Sequence, residues 1–270
     1  MSAGAVEERV VALRDVEVLL RESGEGRPLV LVHGLAQDSR MWAAQQRGLP
    51  GLRTIACDVR GHGGTTLGEA DGTLGQLGED LVALLELVGP ATCAGFSLGG
   101  TVALWAAAER PDLVPDVVLL ATSSVVGSAA AGFFAERIET FQRGERAEIE
   151  AALRADTEAQ LAGANADLEA IVAARIEAVG EGGGYLNGAR AMAGIHERPL
   201  NPLLERISQP VKVVSGERDG FCPRRAAEIM LEHLPNASFE ELPGVGHLLT
   251  DEDPGAVTGV LAAWTAEVAR

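Results

Sequence analysis

Short apolar runs alternate with helical patterns along most of the chain, the mark of a mostly parallel sheet covered by helices. Two opening strands are expected at 10–13 and 16–20, and a turn at 24–26 leads into 29–32, four apolar residues that suit a buried strand. Ser39 is placed to cap a short helix through Trp42, and 54–57 reads as a fourth strand. An apolar stripe over 80–88 belongs to a helix that starts near Thr73. Residues 91–96 form a strand that turns abruptly into a helix over 98–109, which Pro111 ends. Another buried strand is expected at 117–121. From about 126 to 199 the pattern changes: Ala, Glu, Arg and Leu dominate and no strand interrupts them. Strand character resumes at 211–215, then comes a helix at 224–234, a strand at 239–242 and a last helix at 254–268. The expected architecture is therefore α/β, with residues 1–125 and 200–270 forming the core and 126–199 an inserted helical subdomain. The EGGG run at 181–184 is a turn inside that insertion, either a hinge or a plain loop.

Two stretches, 87–108 and 117–135, lack Asp, Glu, Lys and Arg and are about long enough to span a bilayer. The first is broken by Pro90, Gly95, Gly99 and Gly100, the second by Thr122, Ser123, Ser124 and Ser128, so each reads as a buried strand running on into another element. No membrane partner is expected. The net charge of −17 repels phosphate backbones, so no nucleic acid is expected either. The three cysteines at 57, 93 and 222 form no CxxC pair and are odd in number, which argues against a disulfide framework. The first ten residues, MSAGAVEERV, carry acids and no apolar run, unlike a signal peptide. Together these point to a cytoplasmic setting.

Four short segments carry candidate chemistry. Ser97, in the GFSLG of 95–99, stands where a strand passes into a helix. A tight turn there lifts the hydroxyl clear of the backbone, and the helix N-terminus favours developing negative charge. Glycine on each side leaves room for close neighbours; a turn used only for packing is the alternative. His33-Gly34-Leu35 follows the third strand, where a loop folding back presents backbone N–H groups to a ligand, or simply turns. Asp219, in GERD, lies just past the strand at 211–215, on the side where open α/β sheets bind ligands. His247 is the one histidine of five that is flanked by glycine beyond a late strand. A hydroxyl is a poor nucleophile until a base takes its proton, and that base needs an acid to fix its tautomer. Serine, aspartate and histidine occur in that order, each beyond the C-terminal end of an expected strand, so the fold can bring them to one edge.

On these residues the sequence resembles the α/β-hydrolase superfamily, whose nucleophile sits on such a strand-turn-helix elbow. The resemblance runs through VLVHGL at 30–35, DVRGHG at 58–63, GFSLGG at 95–100, VVSGERD at 213–219 and GVGHLL at 244–249. It implies Ser97 as nucleophile, His247 as general base, Asp219 as its orienting acid, and an oxyanion hole made by the backbone N–H groups of Leu35 and Leu98. Because that donor would be backbone, truncating the Leu98 side chain is expected to be mild. Some relatives take the acid from the preceding strand, but here that end reads Thr122-Ser123-Ser124, without a carboxylate. Asp58 and Arg60 match a loop that is structural in most relatives. Serine at 97, not aspartate, sets the chain apart from the dehalogenases and epoxide hydrolases of the superfamily.

HGLAQDSRMW and GFSLGG are most similar to the enol-lactonase, carboxylesterase and cofactor-free haloperoxidase group. The implied activity is hydrolysis of a carboxylic ester or lactone of a small to medium, largely apolar substrate through an acyl-enzyme, with no cofactor and no metal. A carbon–carbon bond hydrolase, a lyase, a perhydrolase or a non-catalytic binding protein are the alternatives. The insertion would then be a lid, with Phe133, Phe134, Ile138, Phe141, Tyr185, Met192 and Ile195 as candidate lining. It also carries Arg137, Arg143, Arg175, Arg190 and Arg198; one facing inward would suit an anionic acid, although solvated faces are their expected use.

Overall fold

The computed structural model describes residues 5–163 and 166–269. In chain order it begins β1 (Glu7–Leu13), β2 (Val16–Ser23) and β3 (Arg27–Val32), then a short 3-10 turn (Ser39–Trp42) and α1 (Ala43–Gly48). There follow β4 (Leu52–Cys57), α2 (Leu74–Val88), β5 (Thr92–Phe96), α3 (Leu98–Glu109) and β6 (Val117–Leu120). Next come α4 (Ser128–Arg143), α5 (Arg146–Gln160), α6 (Leu168–Val179), α7 (Gly183–Glu197) and α8 (Asn201–Leu204). The chain closes with β7 (Val211–Gly216), α9 (Arg224–His233), β8 (Ala237–Leu242), α10 (Leu249–Glu252) and α11 (Pro254–Glu267).

The eight strands form one sheet in the order β1-β2-β4-β3-β5-β6-β7-β8. From β4 to β8 every neighbouring pair is parallel; β1–β2 and β2–β4 are antiparallel. The central strands alternate between two cores, as the pleat requires. Val30 and Val32 pack with α2, α3 and α9, whereas Leu29 and Leu31 pack on the opposite face with Trp42 and α11. Both faces are covered, which is why these strands read as continuous apolar runs in the sequence. Thr73 caps α2 by accepting from the Gln76 N–H, and Asp253 caps α11 through the Ala256 N–H, with Pro254 opening the helix.

The edge strands are longer than their apolar runs. β1 starts at Glu7 because its ladder with β2 continues to Glu7–Glu22, and backbone pairing does not require apolar side chains. The 181–184 run lies at the junction of α6 and α7, with α7 starting at Gly183 inside it. Among the described residues no helix is long and apolar enough to cross a membrane, and Cys57, Cys93 and Cys222 are free thiols.

One topological detail positions the site. β3 pairs with β4 on one side and with β5 on the other, so the chain reverses its direction of travel across the sheet at that point. The crevice beyond the carboxyl ends at such a reversal is where open α/β sheets bind ligands. Leu35 lies just beyond β3 and Ser97 just beyond β5.

Candidate active site

Ser97 joins β5 to α3 with φ +50° and ψ −113°, a conformation that a residue with a Cβ adopts only under constraint. The constraint is visible. The Ser97 N–H donates to the Leu120 carbonyl at 2.9 Å, and its own carbonyl accepts from Gly100 at 3.0 Å. A Cβ at Gly99 would stand 2.2 Å from the Val32 carbonyl oxygen, so only glycine lets α3 come this close to β3. Ser97 is half-buried between fully covered neighbours. Leu98 opens α3, so its N–H lacks an intrahelical acceptor and points out of the helix N-terminus.

The second backbone donor is set by His33. Its Nε2 accepts the Val59 N–H at 2.8 Å, which leaves the proton on Nδ1 to donate to the Gly34 carbonyl at 2.7 Å. In a trans peptide the N–H points opposite to its carbonyl. Anchoring the Gly34 oxygen therefore turns the Leu35 N–H the other way. His33 is fully buried, which lowers its pKa and keeps it neutral, as this tautomer needs.

Asp219 and His247 come together although 28 residues separate them: Nδ1 lies 2.9 Å from Asp219 Oδ2. The other carboxylate oxygen accepts the N–H groups of Phe221 and Cys222, both at 2.8 Å. Burial alone would raise the Asp219 carboxyl; the His247 hydrogen bond and charge and the two N–H groups outweigh it and hold the group below 3.8. With Nδ1 engaged, His247 has Nε2 free for a proton-transfer partner. Ser97, His247, Leu35 and Leu98 all line one cavity of about 270 Å³. Asp251, a carboxylate four residues beyond His247, accepts from Thr250 Oγ1 at 3.5 Å and makes no hydrogen bond with His247.

Asp219, Cys222 and His247 also place one donor atom each within 4.8 Å of one another. Burial and then the Asp219 charge push the Cys222 thiol well up, so it is no thiolate, and Nδ1 already faces the carboxylate. These residues suit a proton relay better than a metal site.

The sequence profile of the α/β-hydrolase fold family matches residues 27–254. The chain belongs to the α/β-hydrolase family. This α/β hydrolase is 28% identical over 240 residues to the 3-oxoadipate enol-lactonase 2 of Acinetobacter baylyi, with 87% of each chain covered. It is 30% identical over 238 residues to a pimeloyl-[acyl-carrier protein] methyl ester esterase of Aromatoleum aromaticum, covering 81% of this chain and 90% of that one. A thermophilic esterase from Thermogutta terrifontis superposes with a TM-score of 0.83 at 27% identity, covering 97% of this chain and 99% of the other. The enol-lactonase from Burkholderia xenovorans shares the fold with a TM-score of 0.85 at 24% identity, covering 96% and 100%.

Several features of this α/β hydrolase were not legible beforehand. The loop carrying His247 is tied to the helical insertion: the His247 N–H donates to the Gln160 carbonyl at 2.8 Å. Glu252 accepts from Gly246 at 2.9 Å and from Ala162 at 2.9 Å, bridging the two segments. A Cβ at Gly246 would meet Gln160 O at 2.6 Å and Glu252 Oε1 at 2.7 Å. Gly246→Ala is therefore expected to displace His247 and lower kcat by about 100-fold, since a misplacement near 1 Å costs that much. Steady-state kinetics on a folded variant, with KM little changed, would bear this out; unchanged kcat would refute it.

Leu98 is fully buried in the core as well as lining the cavity, so truncating it costs stability apart from any effect on turnover. Leu98→Ala is expected to cost about 2–5 kcal/mol, read by denaturant unfolding, although the backbone donor survives. Of the expected lining residues, Phe133, Phe134, Tyr185 and Met192 face the cavity. Phe141 instead stacks on Tyr185 at 3.8 Å, Ile138 packs beside it, and Ile195 joins the main core. Asp58 and Arg60 are structural: Asp58 accepts from the N–H groups of Ser39 and Gly64, and Arg60 pairs with Asp15 and Asp80.

Proposed function

We propose that this chain is a serine hydrolase that cleaves a carboxylic ester or lactone of small to medium size through an acyl-enzyme. That it is an α/β hydrolase acting on esters rests on the family match and on its enol-lactonase and methyl ester esterase relatives. The finer reading rests on one observation: a strained serine and a carboxylate-bound histidine open onto the same cavity.

In this reading Ser97 Oγ attacks the carbonyl carbon while its proton passes to His247 Nε2. The carbonyl oxygen gains the negative charge and is met by the N–H groups of Leu35 and Leu98. Removing one such donor typically costs about 3–4 kcal/mol. His247 then protonates the leaving alcohol, or the enol oxygen of a lactone. Water enters, gives its proton to His247, and attacks the acyl-enzyme; collapse returns the proton to Ser97 and frees the acid. Asp219 stays ionised and balances the imidazolium. Helices α4–α7 act as the lid: Phe133, Phe134, Tyr185 and Met192 close the cavity with apolar surface, and Phe221 and Phe96 flank the imidazole at 5.4 and 5.2 Å.

The test is a series of esters and lactones of graded size, starting with p-nitrophenyl butyrate, combined with a serine-directed phosphonate. Hydrolysis together with added mass at Ser97 is the expected result. Folded protein that neither turns over an ester nor takes the phosphonate at Ser97 would overturn the proposal. An adduct without ester turnover would move the chemistry to another bond type.

A further inference from the structure

Among the described residues of the helical insertion, Arg137 and Arg175 are the arginines with little exposure, and Arg175 is the one that lines the cavity. It sits on α6, only 5% exposed, and lines the cavity that Ser97 and His247 share. Its partners are neutral: Nη1 donates to Thr157 Oγ1 at 2.8 Å and to Gln160 Oε1 at 2.7 Å, both on α5. Its Nε is buried without a partner, and among the described residues no carboxylate lies within ion-pair distance of it. An uncompensated buried guanidinium is costly and cannot lose its proton to escape the cost.

The nearby acids do not satisfy it. Asp156, in the same cavity wall, is taken by Arg137, whose Nε and Nη2 reach it at 2.9 and 2.7 Å. Asp251 attracts Arg175 electrostatically across a neighbouring pocket that Arg175 also borders, but makes its hydrogen bond with Thr250. Tyr185 is held as a neutral phenol by its burial. The remaining surface around Arg175 includes the cavity that Ser97 and His247 line, which is otherwise largely apolar.

We infer that Arg175 is the recognition site for a carboxylate on the substrate, so that the favoured substrates are esters or lactones bearing a second, free acid group. The inference rests on the proposed hydrolysis at Ser97 and names the chemical class of its substrate. The geometry is suited to it. Thr157 and Gln160 both hold Nη1, which leaves the N–H groups of Nη2 as the donors for an anion. Gln160 also carries the carbonyl that receives the His247 N–H, so the carboxylate subsite and the base are braced by the same residue. Arg175 thus sets specificity by fixing the far end of the acyl chain.

The experiment compares kcat/KM for the monomethyl esters of succinate, glutarate and adipate with methyl pentanoate, a neutral ester of similar size. The wild type is expected to prefer the best half-ester by about 10–100-fold, the worth of a hydrogen-bonded charge pair. The preferred chain length then measures the span from Ser97 to Arg175. In Arg175→Met the half-ester to neutral-ester ratio should fall to about one or below, whatever happens to either rate alone, and Arg175→Lys should restore part of it. A wild type without the preference, or a Met variant that keeps it, would overturn the inference. Calorimetry gives a readout free of turnover. Glutarate should bind Ser97→Ala about tenfold or more tightly than it binds Ser97→Ala/Arg175→Met, both checked for folding by circular dichroism. Equal binding would sink the carboxylate subsite. A difference that persists in a chain that hydrolyses no ester would leave the subsite standing and remove the esterase reading.

Discussion

Ser97→Ala is expected to lower kcat by about 10⁶-fold and leave the chain folded. In the proposed reaction the Ser97 hydroxyl is the atom that becomes covalently bonded; Ser123, which also lines the cavity, donates its hydroxyl to the Val125 carbonyl. Cys222, the one thiol in the lining, is kept protonated by burial and by the Asp219 charge. Turnover that remains should reflect binding and the two N–H donors alone. The check is steady-state hydrolysis of p-nitrophenyl butyrate beside a thermal melt. A folded Ala variant within 100-fold of wild type would require a different nucleophile. The backbone supplies a second reading. At φ +50° any Cβ is strained, by about 1–3 kcal/mol, and alanine keeps that strain. Ser97→Gly should be equally inactive yet melt at a higher temperature than Ser97→Ala. If both variants melt together, the elbow stores no strain.

Asp219→Asn is expected to lower kcat by about 10⁴-fold with the structure intact. One side of the new amide can keep accepting from Phe221 and Cys222, as Oδ1 does now. Its NH2 then faces His247 Nδ1, which must turn acceptor. The imidazole proton moves to Nε2, where a base has to be bare. Asp251 cannot rescue the variant, because it hydrogen-bonds Thr250 and faces Arg175. Kinetics at saturating ester are the measure, and a loss below tenfold would show that His247 needs no orienting acid. Stability supplies a signed companion. The folded Asp219 carboxyl lies below its ordinary 3.8, so its contribution is present above that pH and is lost as pH falls through the folded value. The Asn variant should lose this part of the acid limb.

The strand order along the chain, the elbow at 97 and the loops at 35, 219 and 247 are readable one segment at a time. Buried parallel strands are continuous apolar runs, and Gly, Pro and capping residues mark where they stop. The same locality explains what was misplaced. A backbone donor at Leu98 says nothing about its side chain, which tertiary packing buries in the core and against Gly188 of α7. Phe141 and Ile195 have the right periodicity for a cavity wall but face other helices.

What the amino-acid sequence determined on its own was the family and the sheet edge on which the proposed chemistry stands. Serine, aspartate and histidine each follow a strand, and parallel strands must end together. Tertiary structure alone decided which charge of the insertion turns inward. Of the five arginines named, Arg175 is buried and lines the cavity, Arg137 pairs with Asp156, Arg143 pairs with Glu148, and Arg190 and Arg198 are exposed. Which face each helix of the insertion buries is set by contacts between residues apart in the chain, such as the Phe141–Tyr185 stack of α4 on α7 and the Arg137–Asp156 pair of α4 with α5. Helical period specifies a face, and its direction depends on everything the face packs against.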